Sequence, residues 1–212
     1  MIIGISGKAR SGKDTFAKML SKALQRKTGQ AYVLMAYAHE LKLRVQKDFD
    51  LSYDQLWGDE KEVYDRRYKK NRHNYIAGRR DHNEIKENFW TPREVMQAYG
   101  QFFREIDYDF WVKNLFRVVE EKGYENVLVT DVRHINEVDA VVDRGGYHIR
   151  VEREDKDVVH NEQHISETAL DEGHRVDFTV VNNNTLKELE VAAGELVDFL
   201  MEIEKRRQNN GK

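Results

Sequence analysis

The chain has 212 residues, a formal net charge of -3 and no cysteine, which predicts one domain with a mobile inserted subregion and gives no case for a nucleic-acid binder. With 40% hydrophobic residues and a mean hydropathy of -0.79, it has a real but not generous core and no apolar run able to span a bilayer. The lack of cysteine excludes disulfides and thiolate metal sites and fits a reducing interior.

The first apolar run, Met1-Ile2-Ile3-Gly4-Ile5, is too short for a signal peptide and has no basic leader. It reads as a strand. It leads into Gly7-Lys8-Ala9-Arg10-Ser11-Gly12-Lys13-Asp14-Thr15 and then a helical pattern with Phe16, Met19, Leu20, Ala23 and Leu24 on one face. Strand, glycine loop, lysine and helix in that order describe a phosphate-binding P-loop. A glycine-rich turn exposes successive backbone N–H groups, and the helix start adds unpaired donors and a positive dipole end. Gly7 and Gly12 permit the turn, and Lys13 can lay its ammonium between two phosphates. Where such loops place Ser or Thr after the lysine to meet Mg²⁺, this chain has Asp14, with Thr15 one step later. A glycine turn that merely caps a helix is the plainer reading, and the agreement of spacing, strand and amphipathic helix argues against it.

Gly29 marks a stop, and Ala31-Tyr32-Val33-Leu34-Met35-Ala36 reads as a second strand. The helix expected from Ala38 begins just past that strand's C-terminal end, the edge where an open parallel sheet binds ligands. Lys42 is placed there to reach an anion, although an ordinary solvated helix lysine fits the position equally well. From Tyr53 to Arg80 the chain turns polar and basic, with Arg66, Arg67, Lys69, Lys70, Arg72, Arg79 and Arg80 clustered, Tyr64, Tyr68 and Tyr75 interleaved, and a break at Gly78. A solvated helix and loop accounts for most of these charges. A nucleic-acid patch and a lobe closing over an anionic small molecule are the other readings.

In Trp90-Thr91-Pro92-Arg93-Glu94, threonine suits an N-cap, the only proline suits the first helical position and Glu94 completes a capping box. Arg93 lies in a first turn, where the helix dipole disfavours a cation, which points to an anionic partner. Gly100 permits close backbone approach. The segment Tyr108 to Val119 reads as a further helix, mostly core, and packing alone would explain Trp111. Asn126-Val127-Leu128-Val129-Thr130 is a central strand running into Asp131-Val132-Arg133. An acidic residue at such a tip is where Mg²⁺ or its water shell is met; an N-cap for the helix Ile135 to Arg144 is the alternative for Asp131. Gly145-Gly146 ends that helix, and Tyr147 to Val151 gives the next strand. Glu152 to Gly173 is charged and suits a flexible lid. His160 and His164 have the spacing of a zinc pair, but the pattern lacks its glutamate and further ligands. Phe178 to Val181 is the last strand, and Asn182 to Thr185 turns into a final helix, Leu186 to Arg207, with a frayed tail.

Taken together, these stretches resemble deoxynucleoside monophosphate kinases of the bacteriophage type. The resemblance is carried by Ser6-Gly7 with Arg10 to Thr15, Ala38 with Leu41-Lys42, Tyr64-Asp65-Arg66, Trp90 with Arg93, Met96-Gln97-Ala98 and Gly100. Trp111-Val112-Lys113, Asp131 with Arg133, His164-Ile165 with Glu167, and the asparagines at 182–184 complete it. In these kinases the loop reads Gly-Lys-Asp-Thr, so Asp14 is a family trait. The stretch between Asp65 and Trp90 is shorter than in the best-known phage enzyme of this type.

The resemblance implies an α/β fold, the P-loop kinase three-layer arrangement with a central, mostly parallel sheet flanked by helices. It implies one domain over 1–212, with a helical substrate-binding lobe near 53–90 and a lid near 152–173. Arg10, Gly12, Asp14 and Thr15 are then expected to contact ATP alongside Gly7, Ser11 and Lys13, with Asp14 and Thr15 nearest Mg²⁺. Lys42, Arg66, Arg93, Gly100 and Trp111 are expected to line the site for a deoxynucleoside monophosphate. Lys13, Asp131 and Arg133 form the expected catalytic set, with Arg133 also on the acceptor. A homodimer and a cytoplasmic location (the host's, if phage-encoded) also follow from the resemblance. Two rivals stand beside this reading: a P-loop kinase of another phosphorylated small molecule, since phosphomevalonate kinases have a similar Gly-Lys-Asp loop, and a nucleotide-gated nucleic-acid-binding module.

Overall fold

The computed structural model describes residues 1–70, 88–153, 170 and 174–210. The expectations placed on Arg72, Tyr75, Gly78, Arg79 and Arg80, and on His160, His164 and Glu167 of the lid, lie outside the described residues. In chain order the elements are β1 (Ile2–Ser6), α1 (Lys13–Thr28), β2 (Val33–Met35), α2 (Tyr37–Phe49), α3 (Tyr53–Leu56), β3 (Asp65–Lys69) and β4 (Phe89–Trp90). They continue with α4 (Pro92–Ile106), α5 (Phe110–Lys122), β5 (Val127–Val132), α6 (Ile135–Val142), β6 (Tyr147–Glu152), β7 (Phe178–Val181) and α7 (Leu186–Asn210). They fall into two compact units, Met1–Tyr37 with Val112–Lys212, and Ala38–Trp111.

The first unit is built on a five-stranded sheet in the order β2-β5-β1-β6-β7, and every neighbouring pair in it is parallel. A parallel sheet is covered on both faces, so its central strand reads as an unbroken apolar run. That is why Ile3 and Ile5 of β1 are fully buried. One face packs on Phe16, Leu20 and Leu24 of α1 and on Leu189, Ala193, Val197 and Leu200 of α7. The other packs on Leu115, Phe116 and Val119 of α5 and on Val138 and Val141 of α6. Helices, sheet and helices make the three layers expected. Because all five strands run the same way, the loops leaving β1 and β5 emerge at one edge.

The second unit has its own core of Leu41, Val45, Leu51, Leu56, Val95 and Trp111. The capping box at the start of α4 is present: the Thr91 hydroxyl accepts from the Glu94 amide, Glu94 accepts from the Thr91 amide, and Pro92 opens the helix. Gly100 serves close approach, since a Cβ there would lie 2.8 Å from Leu41 Cδ1.

The stretch after Tyr53 departs from the expected helix and loop. Among the described residues a single α-helical turn forms at α3, a 3₁₀ turn follows at Glu60–Glu62, and β3 pairs antiparallel with β4 in a separate two-stranded ribbon. The reason is local and polar. Asp65 is buried and its carboxylate accepts from the Arg67 amide and guanidinium and from Gln55 Nε2 at 3.0 Å. Hydrogen bonds from Arg67 hold that carboxyl down at about 2. A strand reading Asp-Arg-Arg-Tyr-Lys carries no apolar alternation, so pattern alone does not reveal it.

Candidate functional site

β1 ends at Ser6, and the chain then turns through the glycine loop into α1. Gly7 is required for space: a Cβ there would come within 2.5 Å of both Ser11 Oγ and the Val151 carbonyl oxygen. A backbone oxygen cannot swing aside as a side chain can. Gly12, the N-cap of α1, has φ 87 in the left-handed region, where glycine costs nothing. Arg10 also has a positive φ of 64, and a non-glycine residue there stores backbone strain of a kind that clusters at functional loops. The turn is closed by the Ser11 amide donating to the Lys8 carbonyl at 3.1 Å. From the far end of the chain, Asn182 Nδ2 donates to the Ser11 carbonyl at 2.9 Å.

Two features mark this loop as built to hold something. The Ser11 hydroxyl is buried yet has no hydrogen-bond partner among the described residues, a costly state unless a ligand meets it. Lys13 is only 9% exposed, although it begins a helix whose dipole disfavours a cation there. An anion seated against the helix N-terminus resolves both conditions. Arg10, Asp14 and Thr15 are exposed around the same turn. The donor set therefore fits the phosphates of a nucleotide.

β5 lies beside β1, with Ser6 opposite Val132, so Asp131 and Arg133 flank the entry to the loop. Of the two readings open for Asp131, capping of α6 is excluded, because His134 is that helix's N-cap. Asp131 instead accepts from the Tyr37 amide at 2.7 Å, at the start of α2. The Tyr37 hydroxyl donates to the Glu137 carbonyl at 3.2 Å. Tyr37 is buried, and burial pushes its phenol far above the ordinary range, with the charges of Glu137 and Asp131 adding to the effect.

On the other side of β1, His148 of β6 is fully buried. Its Nδ1 sits 2.5 Å from the Arg175 carbonyl, so that nitrogen carries the proton, and Nε2 accepts from the Ser6 hydroxyl at 2.8 Å. Burial lowers its pKa, against the opposing pull of the Arg175 carbonyl. The sign of the consequence is definite. An unfolded histidine takes up a proton as pH falls through about 6.5 while the folded one resists, so stability is present above that value and is lost as pH drops. Replacing His148 with glutamine should flatten the fall in melting temperature between about pH 7 and 5; an unchanged slope would remove His148 as a source of it.

Lys42, Arg66, Arg93, Gly100 and Trp111 all belong to the second unit. Lys42 lies 5.6 Å over the Trp57 ring, Arg66 is exposed on β3, and Arg93 pairs with Glu62 at the surface. Trp111 is 2% exposed and its indole N–H donates to the Gly100 carbonyl at 3.1 Å. That pair is part of the unit's interior. Asn182, His148, Glu137 and Tyr37 were not singled out individually by residue pattern. Only Glu137, three residues past a helix start, carries a local signal.

A parallel three-layer sheet with a strained glycine loop feeding a helix at its C-terminal edge is the P-loop kinase type of α/β fold. The family model for deoxynucleotide monophosphate kinase matches residues 52–192, and the chain belongs to that family. A protein of Acanthamoeba polyphaga mimivirus that carries the provisional name deoxynucleotide monophosphate kinase is 27% identical over 204 residues, 89% of this chain and 91% of the relative. That relative is a mimivirus protein, not one from a bacteriophage. The glycine loop lies outside residues 52–192, so its geometry and the family match are independent observations.

Proposed function

We propose that this kinase transfers the terminal phosphoryl group of ATP to the phosphate of a deoxynucleoside monophosphate, giving the diphosphate. The observation that carries the reading is the loop itself: a buried Ser11 hydroxyl with no partner among the described residues, beside a buried Lys13 at a helix N-terminus, in a chain whose family is named for deoxynucleotide monophosphates. An acceptor phosphate oxygen is already ionised at neutral pH, so the reaction asks for positive charge and alignment rather than a strong base. In this reading the amides of the loop, Arg10, Ser11 and Lys13 hold the donor phosphates. Asp14, Thr15 and Asp131 are the oxygen ligands nearest a Mg²⁺ that comes with the donor; it supplies charge neutralisation between the phosphates. Among the described residues no three acidic or histidine side chains converge on one point, so the phosphates themselves complete such a site.

Lys42, Arg66 and Arg93 hold the acceptor, and Arg133 meets the group in flight. Gly100 and Trp111, bonded to each other inside the second unit, support the acceptor site from behind. The test is a coupled assay of ADP formation with dGMP, dTMP, dCMP, dAMP and phosphomevalonate as acceptors. At least one deoxynucleotide should drive turnover at saturation well above the ATPase background. Turnover with phosphomevalonate alone, or with none of the five, overturns the proposal. Salt-sensitive retention of DNA in place of acceptor-dependent turnover would favour a binding module instead.

A further inference from the structure

Glu137 is 2% exposed. A buried carboxylate is tolerated only when its oxygens are hydrogen-bonded. Its Oε2 accepts from two successive amides, Arg133 at 2.7 Å and His134 at 3.1 Å. The second of these bonds is the ordinary reach-back of a capping box, from the third helical residue to the N-cap amide. The first is not. Arg133 lies outside α6, before its N-cap, and its amide makes the shorter of the two bonds. A glutamate serving α6 alone would have no need of it.

The same residue closes a longer circuit. Its backbone carbonyl accepts from the Tyr37 hydroxyl, and the Tyr37 amide donates to Asp131. Asp131, Tyr37, Glu137 and Arg133 are thus tied in one ring around the tip of β5. All four belong to the first unit. The amides of residues 133 and 134 belong to the two peptide planes that flank the Arg133 Cα, so fixing both fixes the direction in which the Arg133 side chain leaves the backbone. A guanidinium that must meet a transferring phosphoryl group gains from such preorganisation, because misplacement by about 1 Å can cost a hundredfold in rate.

We propose that Glu137 is the positioning residue for Arg133, acting through its two backbone amide bonds and not through its charge. The inference rests on the reading that Arg133 meets the phosphoryl group. The experiment is a double-mutant cycle in the full chain, with kcat and the KM for ATP and acceptor measured for Arg133→Ala, Glu137→Ala, the double variant and Glu137→Gln. A carboxamide oxygen can accept both amides, so Glu137→Gln should keep kcat within about threefold of the parent. Glu137→Ala should lower kcat by about tenfold or more at unchanged KM for ATP, and should cost less than about twofold further once Arg133 is gone.

A glutamine variant as impaired as the alanine variant would mean that the charge itself acts, and overturns the inference. So does an equal loss from Glu137→Ala in both backgrounds, or no loss at all while Arg133→Ala is impaired. A fully active Arg133→Ala sinks the underlying reading of Arg133 and the inference with it. If Glu137→Ala does not fold by circular dichroism, Glu137→Asp takes its place in the cycle. Its carboxylate is withdrawn by one methylene, and the same outcomes apply.

Discussion

Replacing Lys13 with alanine is expected to lower kcat by about a thousandfold, in the range seen when a preorganised donor is removed from a developing anion. The fold should not follow. Alanine is the best helix former, and a cation at the first position of α1 opposes the helix dipole rather than being favoured by it. Lys13 is nevertheless buried, which removes much of its solvation, and packing alone would put an apolar residue there. The reason proposed for a lysine in that place is a phosphate, and on that reading activity and stability should separate. Turnover assays beside a thermal melt check this. A variant that keeps activity within tenfold of the parent would contradict the assignment, whatever its melting temperature.

The second large effect is expected at Gly12. Alanine at φ 87 pays the left-handed penalty, about 1–2 kcal/mol, and its Cβ would fall 2.3 Å from Asn182 Nδ2. Asn182 must then withdraw, and its bond to the Ser11 carbonyl is lost at a cost of about 1 kcal/mol. The summed effect of about 2–3 kcal/mol should appear as a fall in ATP affinity of about 30- to 160-fold, read by calorimetric titration with a non-hydrolysable analogue. Pairing Gly12→Ala with Asn182→Gly relieves the collision but not the strain in φ, and should restore part of the affinity. No recovery in the pair would show that the backbone conformation, not the contact with Asn182, is the limiting requirement.

Much of this architecture is readable from the chain because its signals are local. The β1 run, the glycine spacing and the face of α1 all fall within the first 24 residues, and each supports the others. The capping box at Thr91 and Glu94 is likewise spelled out in four consecutive residues. What pattern cannot show is whatever depends on distant partners. Asp131 caps Tyr37 across 94 residues, and nothing near Asp131 in sequence announces it; its own neighbourhood suits a place beside Mg²⁺ or a cap for the helix that follows. The β3 strand is hidden because it is held by a buried carboxylate and by pairing with Phe89 and Trp90, not by an apolar face. Trp111 shows a different difficulty. Packing alone accounts for it in the sequence while the resemblance sets it on the acceptor site, and its N–H and its ring are both engaged in the core of the second unit.

The bond from Asn182 to the Ser11 carbonyl spans 171 residues, and β1 finds its sheet neighbours only in β5 and β6. During synthesis β1 and its loop therefore leave the ribosome well before the strands that scaffold them. A nascent chain halted before the last strand would carry every glycine and the lysine of the loop without the brace that shapes it. Competence to grip a nucleotide should arrive only once Asn182 has been made, so products terminated before it should be unable to sequester one.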